Sequence, residues 1–467
     1  MANEALVIEI TNITTRLLGF IPNNVLKEID HKLSFVIQGH FFTEAYKNRY
    51  WDGRRHLFTR SSFPTGLLYY VITILNEHQI AYSIADKRIV PLLGKEISLH
   101  SLKLRDYQQD AVDKAVAQQR GLLKMSTGSG KTLTAAAIIG RLNVRTIFYT
   151  HRETLAFQTK QRLEEFLQVP IGILGSGEDK KERITVAMVQ TISNEKHLEF
   201  IQQAQCMIVD ECHHLPSDTL DSIQKASVNS FYRYGLSATP YRDAGDDLLV
   251  EASTAPPIVD ISASFLIKKG YLSKPTIYFV KIPRIPELAH RAYPSVYEQG
   301  IVNNRERNLM IVFLCEYLAT AGKRVLVTVT KIKHGENILA LLNERYPKVK
   351  AAFVQGKDEA ELKSEMLILL NQKKVSVVIA TSIYTEGVDI PELDIIINAK
   401  CQKSSVETYQ IVGRALRKTE GKNTVTIIDF NDLTKYLHSH SLARIRVLQS
   451  EPEYNVKVID KIEDIDV

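Results

Sequence analysis

Short runs of β-branched and other apolar residues, alternating with longer amphipathic stretches, constrain the fold of this chain more than any other feature. The runs occupy Arg145–Thr150, Ile184–Met188, Cys206–Val209, Arg324–Val329, Val375–Ala380, Ile395–Asn398 and Val425–Ile428. They are short enough for strands and apolar on successive residues, as strands covered on both faces are. Between them, Arg152–Leu167, Arg307–Ala321 and Asp358–Leu370 carry apolar residues at three- and four-residue spacing, which predicts helices. Strand alternating with helix predicts an α/β fold built on parallel sheets. The alternation pauses from Ser253 to Pro294, where Pro256, Pro257, Pro275, Pro283, Pro286 and Pro294 cluster. Before Ser98 it is poor. These shifts predict a small α+β domain over 1–97, α/β domains over 98–255 and 303–450, a linker over 256–302 and a solvated acidic tail over 451–467.

The 467 residues leave room for about three domains. With 45% apolar and 24% charged residues the chain reads as globular, not disordered. No apolar run approaches the ~20 residues that cross a bilayer, and Met1–Glu9 carries acids where a secretion signal would be basic and then greasy. A cytoplasmic protein without a membrane partner is expected. Cys206, Cys212, Cys315 and Cys401 form no CxxC pair, so neither a zinc ribbon nor a disulfide framework is predicted. The formal charge of +6 is compatible with a polyanionic partner but selects none.

Chemistry enters at Ser126-Thr127-Gly128-Ser129-Gly130-Lys131-Thr132, between the apolar Gly121-Leu122-Leu123 and the Ala-rich stretch Leu133–Gly140. Gly128 and Gly130 let the backbone curl so that its N–H groups and a helix N-terminus face phosphate oxygens. Lys131 would reach the β- and γ-phosphates of ATP and the Thr132 hydroxyl would bind Mg²⁺. The first glycine of the general GxxxxGK[ST] pattern is replaced by Met125. At the end of the run Cys206–Val209 stand Asp210 and Glu211, where α/β strands present functional carboxylates. Asp210 is placed to hold Mg²⁺ through a water and Glu211 to polarise the attacking water. Upstream, Gln108 in Leu104-Arg105-Asp106-Tyr107-Gln108 either hydrogen-bonds an adenine edge or lies on a helix surface.

With these residues in hand, the chain resembles the superfamily-2 DExH helicases, whose motifs recur in order from Leu104 to Arg417. Tyr149-Thr150-His151-Arg152-Glu153-Thr154-Leu155 and Val189-Gln190-Thr191-Ile192 resemble motifs that grip a nucleic-acid strand. Gly235-Leu236-Ser237-Ala238-Thr239-Pro240 resembles the motif that couples hydrolysis to movement. Thr381-Ser382-Ile383-Tyr384-Thr385-Glu386-Gly387-Val388-Asp389 and Gln410-Ile411-Val412-Gly413-Arg414-Ala415-Leu416-Arg417 resemble the last two. The resemblance implies two tandem RecA-like parallel-sheet domains after the small α+β domain, with ATP hydrolysed in the cleft between them. It assigns Arg105, Gln108, Gly387 and Asp389 to the nucleotide and Gln410 and His213 to sensing it. Arg414 and Arg417 become arginine fingers, and Arg152, Thr191 and Thr381 strand contacts.

The segment Tyr46–Gly53, with Leu57-Phe58 and Phe63–Leu68, resembles the N-terminal domain of phage UvsW-type branch-migration helicases. That implies a DNA partner of branched duplex, forks or R-loop hybrids. Lys47–Arg60 holds five Lys or Arg against the single acid Asp52, interleaved with Tyr50, Trp51 and Phe58. The mixture suits phosphate contact and base stacking. Arg49, Arg54 and Arg55 are the expected DNA contacts, and Trp51 a core anchor in a hairpin turned by Asp52-Gly53. The rival readings are a translocase of restriction or XPB-like systems, an RNA helicase, and a binding scaffold. The last would be expected to lack Lys131, Glu211 or Arg417.

Overall fold

The computed structural model describes residues 6–100, 102–215, 217–238, 247–355, 368–369, 372, 374–381, 393–416 and 424–466. It divides into two compact units, Met1–Ile261 and Ser262–Val467.

In the first unit a four-stranded sheet is formed by β1 (Leu6–Ile10), β2 (Thr14–Leu18), β5 (Ser62–Pro64) and β6 (Tyr82–Asp86), in the order β5-β2-β1-β6. Leu6, Ile8 and Ile10 alternate inward from β1, as a half-buried strand requires. They pack on Val25 and Ile29 of the helix Asn23–Lys32 and on Val71, Ile74 and Leu75 of the helix Leu68–Glu77. A separate ribbon pairs β3 (Ser34–Val36) with β4 (Arg54–His56). The α+β character matches the sequence expectation, but the region is not separate. Ala252 lies in the same apolar cluster, the Tyr70 hydroxyl donates to Glu251 at 2.7 Å, and a Cβ on Gly66 would stand 2.0 Å from the Glu251 carbonyl oxygen.

The rest of the unit is an eight-stranded sheet. Its strands are β7 (Arg120–Met125), β8 (Thr146–Thr150), β9 (Ile171–Gly175), β10 (Glu178–Lys180), β11 (Ile184–Met188), β12 (Cys206–Val209), β13 (Tyr232–Ser237) and β14 (Pro257–Ile261). The order is β10-β9-β11-β8-β12-β13-β7-β14, parallel throughout except for β10 on β9. Every residue of β8 and β12 is buried, which is why these runs read as continuously apolar.

The second unit is a seven-stranded, all-parallel sheet in the order β17-β18-β16-β19-β20-β15-β21. The strands are β15 (Lys274–Ile282), β16 (Val325–Thr328), β17 (Ala351–Val354), β18 (Val377–Ala380), β19 (Ile395–Asn398), β20 (Thr424–Asp432) and β21 (Asn455–Ile459). The helix Arg305–Thr320 falls where amphipathic spacing put it, and Ile332–Arg345 is a further helix that the spacing had not singled out. The predicted helix 358–370 lies outside the described residues apart from 368 and 369.

Two domain expectations are corrected. The stretch 256–302 is no linker: Pro257 opens the outer strand of the first sheet, and Pro275 is the second residue of β15, one before β21 starts to pair with it. Proline is tolerated at such strand starts and edges, so the cluster punctuates strands. The tail 451–467 is not a solvated end. β21 adds to β15, Tyr454 and Ile465 are buried, and the Ser264 hydroxyl donates to Glu451 at 2.5 Å. Among the described residues no helix is long and apolar enough to cross a membrane, and all four cysteines are buried thiols outside any disulfide.

Two expectations test this packing. Gly66→Ala forces a methyl onto two backbone carbonyls that cannot swing away, so it should cost the first unit about 1–3 kcal/mol, read as a lowered midpoint in thermal unfolding. In the second unit His334 is buried, with Nε2 3.0 Å from Asn308 Oδ1. Burial, then the nearby Arg307 charge, pulls its pKa down to about 3. The unfolded chain therefore binds the extra proton between the ordinary value of 6.5 and about 3. The stability His334 contributes is present above 6.5 and is lost as pH falls through that window. His334→Gln should flatten the acid side of a stability–pH profile relative to the unaltered protein.

Candidate nucleotide and nucleic-acid site

β7 is a buried strand between β13 and β14. Met125 is its last residue and fully buried. The missing first glycine is thereby explained: this position lies in the strand and fills the core, so it needs no special backbone. Beyond it the chain curls, with Gly128 at φ +83° and Gly130 at φ +84°, values that favour glycine. The Ser129 N–H donates to the Ser126 carbonyl at 3.1 Å, and the helix Lys131–Leu142 then starts at Gly130. The hydroxyls of Ser126 and Ser129 are shielded from solvent and lack a protein partner. Orphaned donors beside a helix N-terminus fit an anion. Thr127 and Thr132 belong to the same curl and first turn.

The loop is braced from below. Tyr107 Oη and Gln108 Nε2 each donate to the Ser129 carbonyl at 2.8 Å, while Gln108 Oε1 accepts from the Arg105 backbone N–H at 2.9 Å. Gln108 is only 3% exposed. It is neither a surface residue nor, in this conformation, free to read an adenine edge, because both halves of its amide are engaged. The sequence reading missed Tyr107, whose only signal was its place beside Gln108. The exposed Arg105 guanidinium donates to Tyr107 Oη at 3.1 Å.

β12 delivers the acids. Glu211 takes a left-handed backbone at φ +44°, ψ +43°, uncommon for a residue other than glycine and frequent at functional turns. Its Oε1 accepts from Lys131 Nζ at 2.7 Å. Asp210 accepts the Glu211 N–H at 3.0 Å. Burial, reinforced by the Glu211 charge and opposed by Lys131, pushes the Asp210 carboxyl up to about 6. Buried His213 places Nδ1 2.9 Å from Ser237 Oγ at the end of β13 and 3.5 Å from Glu211 Oε2. Lys131, Glu211, His213 and Ser237 thus form one polar chain across three strand ends. Among the described residues no cluster of three or more His, Cys, Asp or Glu is poised to hold a metal. Thr132 and Asp210 suit Mg²⁺ as the companion of a phosphate, since that ion keeps water and phosphate oxygens as ligands.

All of these groups sit at the carboxyl edge of one parallel sheet, the side on which such folds bind ligands. Arg152 follows β8 there, exposed at the start of the helix Glu153–Leu167. Thr191 follows β11, its hydroxyl on the Met188 carbonyl at 2.6 Å. In the second unit Thr381 follows β18, its buried hydroxyl without a protein partner. Gln410 and Arg414 are on the helix Ser405–Ala415. Their side chains, and Gly387, Asp389 and Arg417 altogether, lie outside the described residues.

Two of the expected DNA contacts are corrected. Arg54 is consumed internally, Nε donating to Ser34 Oγ at 2.9 Å and Nη2 to the Ser34 carbonyl at 2.8 Å. Arg55 reaches Asp221 of the large sheet's helix Ser217–Ala226 at 2.5 Å. They are ties, because the carbonyls and the carboxylate that bind them are brought there by folding. Arg49 stays exposed, at φ +59°. Trp51 is half-buried, outside the apolar clusters, with its indole N–H on the Arg54 carbonyl at 2.7 Å. The ribbon it borders is closed by residues 37–53, not by a two-residue Asp52-Gly53 turn.

The Type III restriction enzyme, res subunit family matches residues 101–242, and the helicase conserved C-terminal domain matches 309–419. The ATP-dependent DNA helicase uvsW of enterobacteria phage T4 is 23% identical, over 93% of this chain and 95% of its own length. The DNA 3'-5' translocase XPB2 of Sulfurisphaera tokodaii is 26% identical, over 74% and 84%. The type ISP restriction-modification enzyme LlaBIII, solved bound to DNA, shares the fold at a TM-score of 0.58 and 18% identity, over 77% of this chain and 32% of its own. The chain spans 51 to 65% of the length of five other helicase relatives.

The Lys131–Glu211 pair must open before Lys131 can serve a phosphate. Glu211→Gln removes the competing charge, so nucleotide should bind as tightly as before or more tightly while hydrolysis falls about a hundredfold or more. Calorimetric titration beside a turnover assay checks this; weakened binding would mean that Glu211 only positions the lysine.

Proposed function

We propose that this chain, a superfamily-2 helicase by its two matched domains and its similarity to phage UvsW, is an ATP-driven DNA motor that remodels branched DNA. The reading covers fork regression, branch migration of four-way junctions and unwinding of D-loops or R-loops. The observation that carries it is the extent of the UvsW alignment, 93% of this chain. It runs through the N-terminal region as well as the motor, whereas the XPB2 alignment covers 74%.

In this reading Ser126–Gly130 and Lys131 receive the phosphates, and Thr132 and Asp210 hold Mg²⁺, which would neutralise phosphate charge when bound. Glu211 orients the attacking water and accepts its proton. His213 and Ser237 pass the change at Glu211 to the motif expected to couple hydrolysis to movement. By family resemblance Gly387, Asp389, Gln410, Arg414 and Arg417 complete the nucleotide site, the arginines contributing ~10³ to 10⁵ in rate. Arg152, Thr191 and Thr381 hold the strand backbone, and Arg49 contacts DNA. Gln108 and Tyr107 set the loop's shape, so their effect on nucleotide affinity is indirect.

A second reading, a translocase on unbranched duplex, is favoured by the higher identity to XPB2. One experiment separates the two. ATPase rate is measured without nucleic acid and with single-stranded DNA, linear duplex, a model fork, a four-way junction and duplex RNA, alongside unwinding of the same labelled substrates. Strongest stimulation and ATP-dependent strand exchange on the fork or junction are expected, with Lys131→Ala lowering turnover about a hundredfold or more. Stimulation by linear duplex without branch movement would replace the proposal by the translocase, and stimulation by RNA alone would replace it by an RNA remodeller.

A further inference from the structure

Between β3 and β4 the chain forms a small knuckle, from Gly39 to Trp51, that exposes aromatic rings to water. Phe41 is 53% exposed, Phe42 74%, Tyr46 37% and Tyr50 87%. Isolated exposed rings are ordinary; four within ten residues are a patch, and patches of this kind mark binding surfaces. Their exposure does not come from a slack chain. Gly39 sits at φ +76° before the turn His40–Phe42. His40 Nδ1 lies 2.9 Å from the Ile37 carbonyl and the Thr43 hydroxyl donates to the His40 carbonyl at 2.7 Å. Gly53 packs so closely on the His40 ring that a Cβ would stand 2.6 Å from it.

Two acids stand close by: Glu44, exposed, opens the short helix Glu44–Lys47, and Asp52 is engaged, accepting the Arg54 N–H at 2.9 Å and lying 3.0 Å from His56 Nε2. Lys47 and Arg49, which form no ion pair among the described residues, stand beside the rings. Trp51, Tyr50, Tyr46 and Phe41 line a surface pocket of about 590 Å³ together with these two cations and Asp52. Rigid rings with open faces, flanked by cations and offering no fixed set of hydrogen-bond donors and acceptors, fit stacked bases and their phosphates without sequence preference. A duplex presents its bases edge-on within the stack and cannot use such faces.

We propose that this knuckle is a stacking site for unpaired bases, where Phe41, Phe42 and Tyr50 take the base faces and Lys47 and Arg49 the adjoining phosphates. This deepens the branched-DNA reading and rests on it: a remodelling motor meets unpaired bases at the branch point, and the knuckle is where the N-terminal region holds them.

Trp51 is the sole tryptophan and stands in the pocket wall, so its fluorescence reports on this surface and not on the motor. The full-length protein is titrated with oligo(dT) and with a blunt linear duplex. Saturable change of the Trp51 emission by oligo(dT), little by duplex, is expected. Phe42→Ala and Tyr50→Ala should each weaken that response roughly five- to a hundredfold. Both side chains are largely in water, so the variants should unfold at the same temperature as the unaltered protein. A silent Trp51 under oligo(dT), an equal response to duplex, or a response untouched by both substitutions would overturn the proposal. So would self-association that Tyr50→Ala abolishes, which would make a second copy the occupant. Failure of the motor reading is distinct: ATPase would then be indifferent to every nucleic acid, whereas failure of the knuckle alone leaves stimulation intact and Trp51 silent.

Discussion

The ion pair between Lys131 and Glu211 exists because β7 and β12 flank one strand, β13. Strands two places apart in a sheet are separated by about 9.6 Å, a gap that a lysine and a glutamate reaching toward each other close to 2.7 Å. The loop after β7 must curl for Lys131 to start its helix at that height, which is the work of Gly128 and Gly130. The left-handed Glu211 turns its carboxylate back toward the lysine. Both side chains are mostly buried, at 15% and 18% exposure, so each charge depends on the other. His213 extends the pair to Ser237 on the strand between.

The same economy of placement governs the N-terminal region. Its basic residues have the composition of a polyanion footprint, yet the two central ones are spent on structure. Arg54 ties β4 to β3 and to the end of the helix Asn23–Lys32 through the Ser34 and His31 carbonyls. Arg55 joins the ribbon to Asp221. With Gly66 against the Glu251 and Ala252 carbonyls and Tyr70 on Glu251, the region becomes part of the first unit. What remains outward is aromatic, with Lys47 and Arg49 beside it.

In the second unit the interior strand β20 carries, toward its end, acids that are fully paired. Asp432 accepts from Arg307 Nε at 2.9 Å, and Asp429 from Arg444 Nη2 at 2.8 Å and from Asn398 Nδ2 at 2.7 Å. Arg307 is 1% exposed and stacks over Phe430 at 4.4 Å. A buried charge this well satisfied specifies its neighbours, since breaking one partner strands the other away from water. These pairs tie β20 to β19 and to the helices Arg305–Thr320 and Leu437–Gln449.

Local sequence by itself determined the parallel α/β class, six of the seven strands read from apolar runs to within two residues, and the glycine-curled loop before Lys131 with the acids that follow β12. Each of these rests on short-range physics: strand burial written as a continuous apolar run, backbone curl written as glycine, and helix start written as Lys-Thr after a turn. Tertiary structure decided the rest. Gln108 became a brace because folding brought the Ser129 carbonyl to it, and Arg55 a tie because Asp221 lies 166 residues away. The prolines of 256–302 were misread as a linker because proline marks strand starts and loops alike. The tail was misread because its acids hid the residues that let β21 pair with β15. A residue's partner across the fold is not encoded in its neighbours along the chain, so polar roles, unlike apolar periods, could be assigned only once the sheet order was known.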